Sequence, residues 1–219
     1  RFLAVLSAGG LGLAGWRLWP EDGLWHPCGP AALPAALARH ELIQRVWEGL
    51  DPAQLWDCHV HLLGSGDSGS GCWLNPRLDS LWHPIERLQK AFYLNAACVA
   101  DRMGMDAAYV ERLLALHAAF PQGAKRMLLA FDWHYDENGE RVAALSPFHT
   151  PNEYAQRLAH AHPQHFEWIA SVHPYRADAI EALEQAAKGG ARALKWLPAA
   201  QGMDPADALK AITINPARL

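Results

Sequence analysis

The segment at positions 55–62, LWDCHVHL, constrains the fold of this chain more than any other part of the sequence. Successive side chains of a β-strand alternate between its two faces, so a strand here places Asp57, His59 and His61 on one face. Neutral imidazole is the commonest ligand for zinc and similar ions, and a nearby carboxylate often fixes the tautomer that leaves a lone pair for the metal. The segment therefore predicts a divalent metal that activates water, with Asp57 hydrogen-bonded to a ligand. The alternative is an exposed strand that binds nothing.

The composition is that of a globular protein without a general affinity for nucleic acid. Apolar residues make up 51% of the 219 residues and charged residues 19%, which is enough for one sizeable core. The 23 acidic residues exceed the 19 basic ones, so the formal net charge of −4 gives no attraction to nucleic acid or anionic lipid. We therefore expect no nucleic-acid partner.

The spacing of the cysteines excludes two common cysteine motifs. Cys28, Cys58, Cys72 and Cys98 contain no Cys-x-x-Cys pair, so neither a zinc ribbon nor a thioredoxin-type redox motif is predicted. The even count permits disulfides, but the spacing selects no partner for any of the four.

The first residues are apolar enough to be a targeting segment. Residues 2–16 follow Arg1 and are almost wholly apolar, but they are fewer than the roughly 20 residues that span a bilayer. They fit the core of a signal peptide, and the opening Arg-Phe-Leu resembles the end of a twin-arginine export signal. Residues 1–20 are therefore predicted to be a signal-like or membrane-anchor segment of an exported or membrane-associated protein, on the periplasmic side in a bacterium. The alternative is a buried N-terminal helix in a cytoplasmic protein.

Strand and helix patterns alternate after an N-terminal helical segment at residues 21–54. Apolar strands are predicted to begin near Leu55, Arg126, Phe166 and Ala191. Helices are predicted between and after them, over residues 85–100, 107–119, 151–161 and 178–188 and from about 205. This order is typical of an α/β fold with a parallel sheet of about four strands.

Three polar residues are predicted to cap helices, and one glycine-rich segment is predicted to be flexible. Asp106, Thr150 and Asp204 stand at helix starts, where a side-chain oxygen accepts from free backbone N–H groups. Residues 64–71, GSGDSGSG, follow the histidine pair directly and predict a flexible loop, either a lid over the site or a solvated connector.

The motif Asp57-x-His59-x-His61 on a first strand resembles the amidohydrolase superfamily of metal-dependent hydrolases. Three further segments resemble the amidohydrolase-related branch of that superfamily, and the closing segment is similar to a Thr-x-Asn-Pro-Ala sequence that follows the barrel in many members. These segments are FDWH at 131–134, SVHPY at 171–175, ALKWLP at 193–198 and AITINPAR at 211–218. The resemblance covers roughly residue 55 to the C-terminus, and it implies a small-molecule substrate.

The resemblance implies a TIM-barrel-type (β/α) fold in which His59 and His61 ligate a metal, for which zinc is the first candidate. Asp57 precedes the pair as in the family. Lys195 stands where some members carry a lysine that carbon dioxide has carboxylated and that bridges two metals; the alternative is a lysine whose stem packs while its charge meets substrate. His173 and His134 fall at strand ends, where they contact substrate or serve as capping and packing residues, and Lys195 and His173 are the candidate catalytic residues.

The sequence departs from the family pattern after the fourth strand. Members carry a histidine after strand five and an aspartate after strand eight, but only 22 residues follow Leu197, whereas four more βα units need on the order of 100. Residues 55–219 are therefore predicted to form a partial barrel that lacks strands five to eight. The chain is then a truncated or internally deleted member, or an incomplete record of one.

Four functional hypotheses follow from the residues and the resemblance. The first is a hydrolase that directs metal-activated water at an amide, ester or lactone carbon. A decarboxylase of the same branch would use the same first-strand ligands. A noncatalytic remnant would keep the histidine pair without turnover. A TatD-like deoxyribonuclease also begins with Asp-x-His-x-His, although the acidic balance of this chain argues against it.

Overall fold

The computed structural model describes residues 26–100 and 103–213. The signal-like segment predicted at residues 1–20, including the apolar run at 2–16, lies outside the described residues, as does the end of the closing AITINPAR segment. Within the described ranges no helix has the length and apolar content needed to cross a bilayer. For the described residues this finding contradicts the expectation of membrane association, and the predicted anchor at residues 1–20 is not among them.

The fold is α/β and is built on a three-stranded parallel sheet. The strands are β1 (Trp56–His61), β2 (Trp73–Leu74), β3 (Lys125–Leu129), β4 (Phe148–His149) and β5 (Phe166–Ile169). The parallel sheet has the order β1-β3-β5, while β2 and β4 pair antiparallel in a separate two-stranded sheet. Every second strand along the chain therefore belongs to the main sheet, as expected where helices connect parallel strands.

The fourth predicted strand is present only as a bridge beside β5. Ala170 donates its N–H to the carbonyl of Ala193 at 2.9 Å, and Lys195 donates its N–H to the carbonyl of Ala170 at 2.8 Å. The parallel bridge pairs Ala170 with Leu194. The predicted position and direction of this segment are confirmed, but a TIM barrel is not formed by the described residues.

Eight α-helices surround these strands within the described residues. They are α1 (Ala35–Ala38), α2 (Glu41–Trp47), α3 (Pro84–Ala97), α4 (Met105–His117), α5 (Asn152–Ala161), α6 (Ala179–Lys188), α7 (Pro198–Gln201) and α8 (Pro205–Thr213). Short 3-10 turns lie at Pro52–Gln54, Pro76–Asp79 and Ala143–Leu145. The predicted helices are confirmed to within a few residues at each end.

The two faces of the parallel sheet have different partners. Strand pairing aligns Val60 with Leu128 and Leu128 with Trp168, and this row is buried in the main core together with side chains of α4 and α5. The next row aligns His61 with Leu129 and Leu129 with Ile169. Because side chains alternate along a strand, this second row lies on the opposite face. We call it the site face, and its apolar members Met127, Leu129 and Ile169 form a small cluster of their own.

Two of the three predicted helix caps are wrong. Helix α4 begins at Met105 after Gly104, and the Asp106 carboxylate accepts from Ser65, Gly66 and Ser68 instead of capping the helix. The Thr150 hydroxyl donates to the carbonyl of Leu62 and makes no capping bond at α5. Asp204 does cap α8, because its Oδ1 accepts from the N–H groups of Ala206 and Asp207. Side chains that cap helices also bond distant backbone, which local spacing does not reveal.

The glycine-rich segment is an ordered turn packed on α4. Its serine and glycine N–H groups bond the Asp106 carboxylate, which is only 1% exposed. In return, the Asp67 carboxylate accepts from the N–H groups of Gly104 and Met105 at 2.7 and 2.8 Å, and so caps α4 from outside. The expectation of a flexible loop fails because the Asp106 carboxylate binds the backbone of the turn, while Asp67 of the turn binds the start of α4.

Candidate metal centre

The two histidines of the first strand meet on the site face. The Nε2 atoms of His59 and His61 lie 3.0 Å apart, and the ring centroids lie 4.9 Å apart with planes tilted by 48°. Both side chains are exposed. The alternation predicted from the sequence therefore brings two imidazole nitrogens to one point.

The strand that carries the pair is fixed at its C-terminal end by two hydroxyl groups. Tyr109 of α4 donates its hydroxyl to the carbonyl of His61 at 2.9 Å. Thr150 donates to the next carbonyl, that of Leu62, at 2.8 Å. Burial raises the pKa of Tyr109 to about 12, so this donor keeps its proton throughout the physiological pH range. The backbone at the histidine pair is therefore held from the helical side of the sheet.

Lys195 reaches the histidine pair from the segment that pairs beside β5, at the opposite edge of the sheet from β1. Its Nζ lies 3.3 Å from Nε2 of His59, although β3 and β5 separate their backbones. Three inter-strand spacings of about 4.8 Å span roughly 14 Å, so the two long side chains reach toward each other across the site face. The structure thus brings together all three residues that the sequence nominated as metal ligands.

The electrostatic environment favours the neutral form of His61. Partial desolvation of the ring by its neighbours, followed by the charges of Lys195 and His59, lowers the pKa of His61 although its side chain keeps access to solvent. Burial also lowers the pKa of Lys195. A neutral imidazole keeps a lone pair for a metal, and a lysine with a lowered pKa has a larger fraction of neutral amine.

Asp57 contacts the backbone of the histidine strand. Its Oδ1 accepts from the backbone N–H of His59 at 3.2 Å, and this hydrogen bond does not involve either imidazole ring. The carboxylate thus steadies the strand, and the tautomer-fixing role expected of it remains a prediction.

His173 lies in a separate buried network. It is 0% exposed, its ring nitrogens face the carbonyl of Gln201 at 2.9 Å and the N–H of Tyr175 at 3.2 Å, and its own N–H bonds the Asp132 carboxylate at 2.9 Å. Since Nδ1 accepts from Tyr175, Nε2 carries the proton that is donated to Gln201. Both ring nitrogens are therefore occupied by backbone groups, and the catalytic role expected of His173 stays a prediction without a contact to the histidine pair.

The Asp132 carboxylate is the centre of this network. It is 2% exposed and accepts from Arg176 at 3.0 Å, while Arg176 also bonds Asp178 at 2.8 Å. Hydrogen bonds to Asp178 and Asp132 raise the pKa of the Arg176 guanidinium. His134, the other strand-end histidine, lies near the carbonyl of Ala200, with Nδ1 at 3.3 Å. Through His134 and His173, these contacts join the residues that follow β3 and β5 to α7.

The donor set fits a divalent metal. Two nitrogens on a tetrahedral zinc with Zn–N bonds of about 2.0–2.1 Å lie roughly 3.3 Å apart, close to the 3.0 Å between the two Nε2 atoms. A catalytic zinc takes about three protein ligands, and a free ammonium offers no lone pair. His59 and His61 can supply two ligands, and Lys195 can supply a third only in its carboxylated form.

A second group of potential ligands, which the sequence did not indicate, lies at the start of the described chain. His26, Cys28 and Cys98 place one ligand atom each within 4.8 Å of one another, and the two cysteines form a disulfide. Cys58 and Cys72 are free thiols. The two partners are 70 residues apart, so no short motif in the sequence could have signalled this pairing.

Comparisons with protein-family models, with curated proteins and with solved structures find no match to this chain.

Proposed function

We propose that the chain is a metal-dependent hydrolase of the amidohydrolase-related type, acting on an amide, ester or lactone carbon. The observation that supports this proposal is the meeting of His59, His61 and Lys195 on one face of a parallel α/β sheet. Three residues nominated by the resemblance lie on two segments that are distant in sequence. If the His-x-His pair had arisen by chance on an exposed strand, there would be no reason for Lys195 of a distant segment to lie beside it.

In this proposal His59 and His61 hold the ion through Nε2, and zinc is the first candidate because both donors are imidazoles. Such an ion supplies Lewis acidity, which lowers the pKa of water toward neutrality. The lowered pKa of His61 keeps its ring neutral and available for the metal at neutral pH.

Lys195 has two possible forms in this proposal. As a neutral amine it can react with carbon dioxide, losing a proton, to give a carbamate whose oxygens bind metal. As an ammonium it can donate a hydrogen bond to the carbonyl oxygen of a substrate. Its lowered pKa favours the first form, since only the neutral amine adds to carbon dioxide.

The apolar part of the site face defines the surroundings of the reacting groups. Met127, Leu129 and Ile169 lie in the strands between the histidine pair and Lys195 and bury their side chains. An apolar floor removes water from one side of the site and strengthens electrostatic interactions above it.

The test is hydrolysis of a panel of amides, esters and lactones by the purified protein. We expect turnover that a chelator abolishes and zinc restores. The H59A and H61A variants should each reduce activity by about 100-fold or more, because mutation of residues that only support metal ligands already costs 10–100-fold in metal affinity or activity. H160A, which alters an exposed histidine on α5, is the matched control and should retain activity. K195Q should lose activity and K195R should not restore it if the lysine must be carboxylated.

Turnover that a chelator leaves unchanged would overturn the proposal. Loss of a carboxylate from the substrate instead of hydrolysis would assign the chain to the decarboxylating chemistry of the same branch. Metal binding through the pair without turnover on any substrate would identify the noncatalytic form, and salt-sensitive cleavage of DNA would identify a deoxyribonuclease.

A further inference from the structure

The disulfide between Cys28 and Cys98 lies beside a histidine that is already positioned by other contacts. Cys98 Sγ lies 3.2 Å from Nδ1 of His26, and the N–H of Cys28 donates to the same nitrogen at 2.9 Å. The Asn95 side chain bonds the backbone N–H and carbonyl of His26 at 2.5 and 3.1 Å. Asn95 therefore holds His26 against the end of α3 through bonds that do not depend on the disulfide.

Both cysteines adopt an unusual backbone conformation. Among the described residues, the non-glycine positions with positive φ are Cys28 at +50° and Cys98 at +56°. This left-handed region costs an L-residue roughly 1 kcal/mol or more, and such residues cluster at functional sites. Cys98 occupies it as the residue that ends α3, with its N–H bonded to the carbonyl of Asn95. The two strained positions coincide with the two sulfurs of one site.

The Cys28–Cys98 disulfide is more accessible to solvent than a disulfide buried in a protein core. His26 and Cys28 are exposed and Cys98 is half-buried, whereas the free thiol of Cys72 is buried. A solvent-accessible disulfide can be reached by a reductant, and exposed disulfides are more often labile than buried ones.

We propose that His26, Cys28 and Cys98 form a redox-gated site for a thiophilic metal ion, closed in the disulfide form and opened by reduction. The sulfurs of a disulfide are poor ligands, because thiolate is the form that binds metal. Two thiolates and one imidazole are a donor set that selects zinc or a similar soft ion, with a fourth position left for water or an external ligand. This site shares no residue with the His59 and His61 pair and does not rest on the proposed hydrolase function.

The site would open by reduction, bind the ion, and close again by reoxidation. A phosphine reductant and one water convert the disulfide into two thiols, and the phosphine becomes its oxide, which accounts for the two electrons and two protons. A divalent ion then displaces the two thiol protons and binds two sulfurs and the lone pair of His26. Reoxidation by a small-molecule disulfide, which accepts two electrons and leaves as two thiolates, re-forms the sulfur–sulfur bond of the protein and releases the ion.

The test is titration of the full chain with Co²⁺ before and after reduction by a phosphine. Cobalt bound by thiolates has a sulfur-to-metal charge-transfer absorption, which a site made of histidines and lysine does not produce. We expect this absorption in the reduced protein, saturating at about one thiolate-bound ion per chain in addition to any ion at His59 and His61, and no such absorption in the oxidised protein. H26A should keep the disulfide and weaken cobalt binding at least about tenfold, as expected when a ligand is lost.

Two control variants locate the ion. C58S removes the other exposed thiol and should leave the absorption unchanged, and the H59A/H61A double variant should also leave it unchanged. C28S and C98S should each abolish it, with folding checked by circular dichroism. Absence of the thiolate absorption from the reduced wild-type protein, or its survival in C28S, would overturn the proposal, whatever the outcome of the hydrolysis assay.

Discussion

His149 is a histidine that the folded protein keeps neutral. Its ring stacks on Trp133 with centroids 4.4 Å apart and planes 16° apart, and its Nδ1 is buried without a hydrogen-bond partner in the described structure. Burial lowers the pKa of His149 to about 4. In the folded protein this ring therefore binds a proton only near pH 4, whereas an exposed histidine binds one near pH 6.5.

This shift predicts a loss of stability in acid. The unfolded chain binds a proton at His149 near pH 6.5, whereas the folded chain binds it only near pH 4, so the free energy of unfolding falls as the pH falls from 6.5 to 4. The contribution reaches about 3 kcal/mol at most. Urea unfolding at several pH values should show a smaller pH dependence for H149F than for the wild type. H160F changes an exposed histidine and should retain the wild-type slope; equal slopes in H149F and wild type would contradict the assignment.

At the scale of single residues, the sequence predicted which side chains are candidate metal ligands but not which partners individual side chains bond. His59, His61 and Lys195 were identified by strand alternation and by resemblance, because both depend on local pattern. The bonds of Asp57 and Thr150 and the pairing of Cys28 were missed, since each joins a residue to backbone or sulfur that local sequence does not place nearby.

Among the structural elements, the turn at residues 64–71 and helix α4 stabilise one another. Asp106 of the helix accepts four hydrogen bonds from the turn, at 2.7–3.1 Å, and Asp67 of the turn caps the helix. The turn follows β1 directly, so it also continues the strand that carries the histidine pair.

Removing the Asp106 carboxylate should therefore destabilise the protein. D106A leaves several N–H groups of the turn without an acceptor, and hydrogen bonds to a charged group contribute about 1.5–3 kcal/mol each in net terms. We expect a loss of about 3 kcal/mol in the free energy of unfolding, measured by urea denaturation. E111A removes an exposed carboxylate from the same helix and should change stability by less than about 0.5 kcal/mol. A similar small change in D106A would show that the turn does not depend on this residue.

The two short N-terminal helices depend on contacts outside themselves. Neither α1 nor α2 has a buried residue, and helices of 4 and 7 residues are too short to be stable alone. The Cys28–Cys98 disulfide joins the beginning of this region to α3, and Trp47 packs on Phe120 at 6.0 Å.

In the metal-free protein, reduction of the disulfide should loosen residues 26–50 before the sheet unfolds, because the hydrogen bonds between Asn95 and His26 then hold the start of this segment without a covalent link. Limited proteolysis of the reduced protein should cut within this segment while the fragment that contains the sheet persists. C58S, treated in the same way, should behave as the wild type because Cys58 is not in the disulfide. Equal protection of residues 26–50 in the oxidised and reduced proteins would contradict this expectation.

The elements that sequence patterns predicted are those with a long local signal. The helices at 84–97 and 179–188 and the strand at 125–129 each carry a continuous apolar period. The antiparallel pair of β2 and β4 was not predicted, because each strand has two residues and its partner lies some 75 positions away. The predicted fourth strand was shortened to a bridge at Leu194, where only one side of the segment pairs with β5.

For the whole molecule, one face of the parallel sheet packs in the main core and the other face carries the candidate site. One face is buried against the helices, and the other carries the histidine pair, Lys195 and a small apolar cluster. A ligand that binds only the folded site face should stabilise the entire fold by mass action.

Zinc should therefore raise the melting temperature of the oxidised protein. At a free zinc concentration of 100 times the dissociation constant, the gain is about 2.7 kcal/mol. For a chain of this size that gain corresponds to a shift of roughly 5–10 °C. Differential scanning calorimetry should show the shift in the wild type and not in H59A/H61A, and an equal shift in both proteins would place the stabilising ion elsewhere.

The metal content of the purified, oxidised protein tests whether His59 and His61 hold an ion, because the disulfide then closes the cysteine site. Elemental analysis should find about one divalent ion per wild-type or H160A chain. It should find almost none in the H59A/H61A double variant after identical zinc loading and removal of free metal. Equal metal content in the double variant and the wild type would contradict metal binding by His59 and His61.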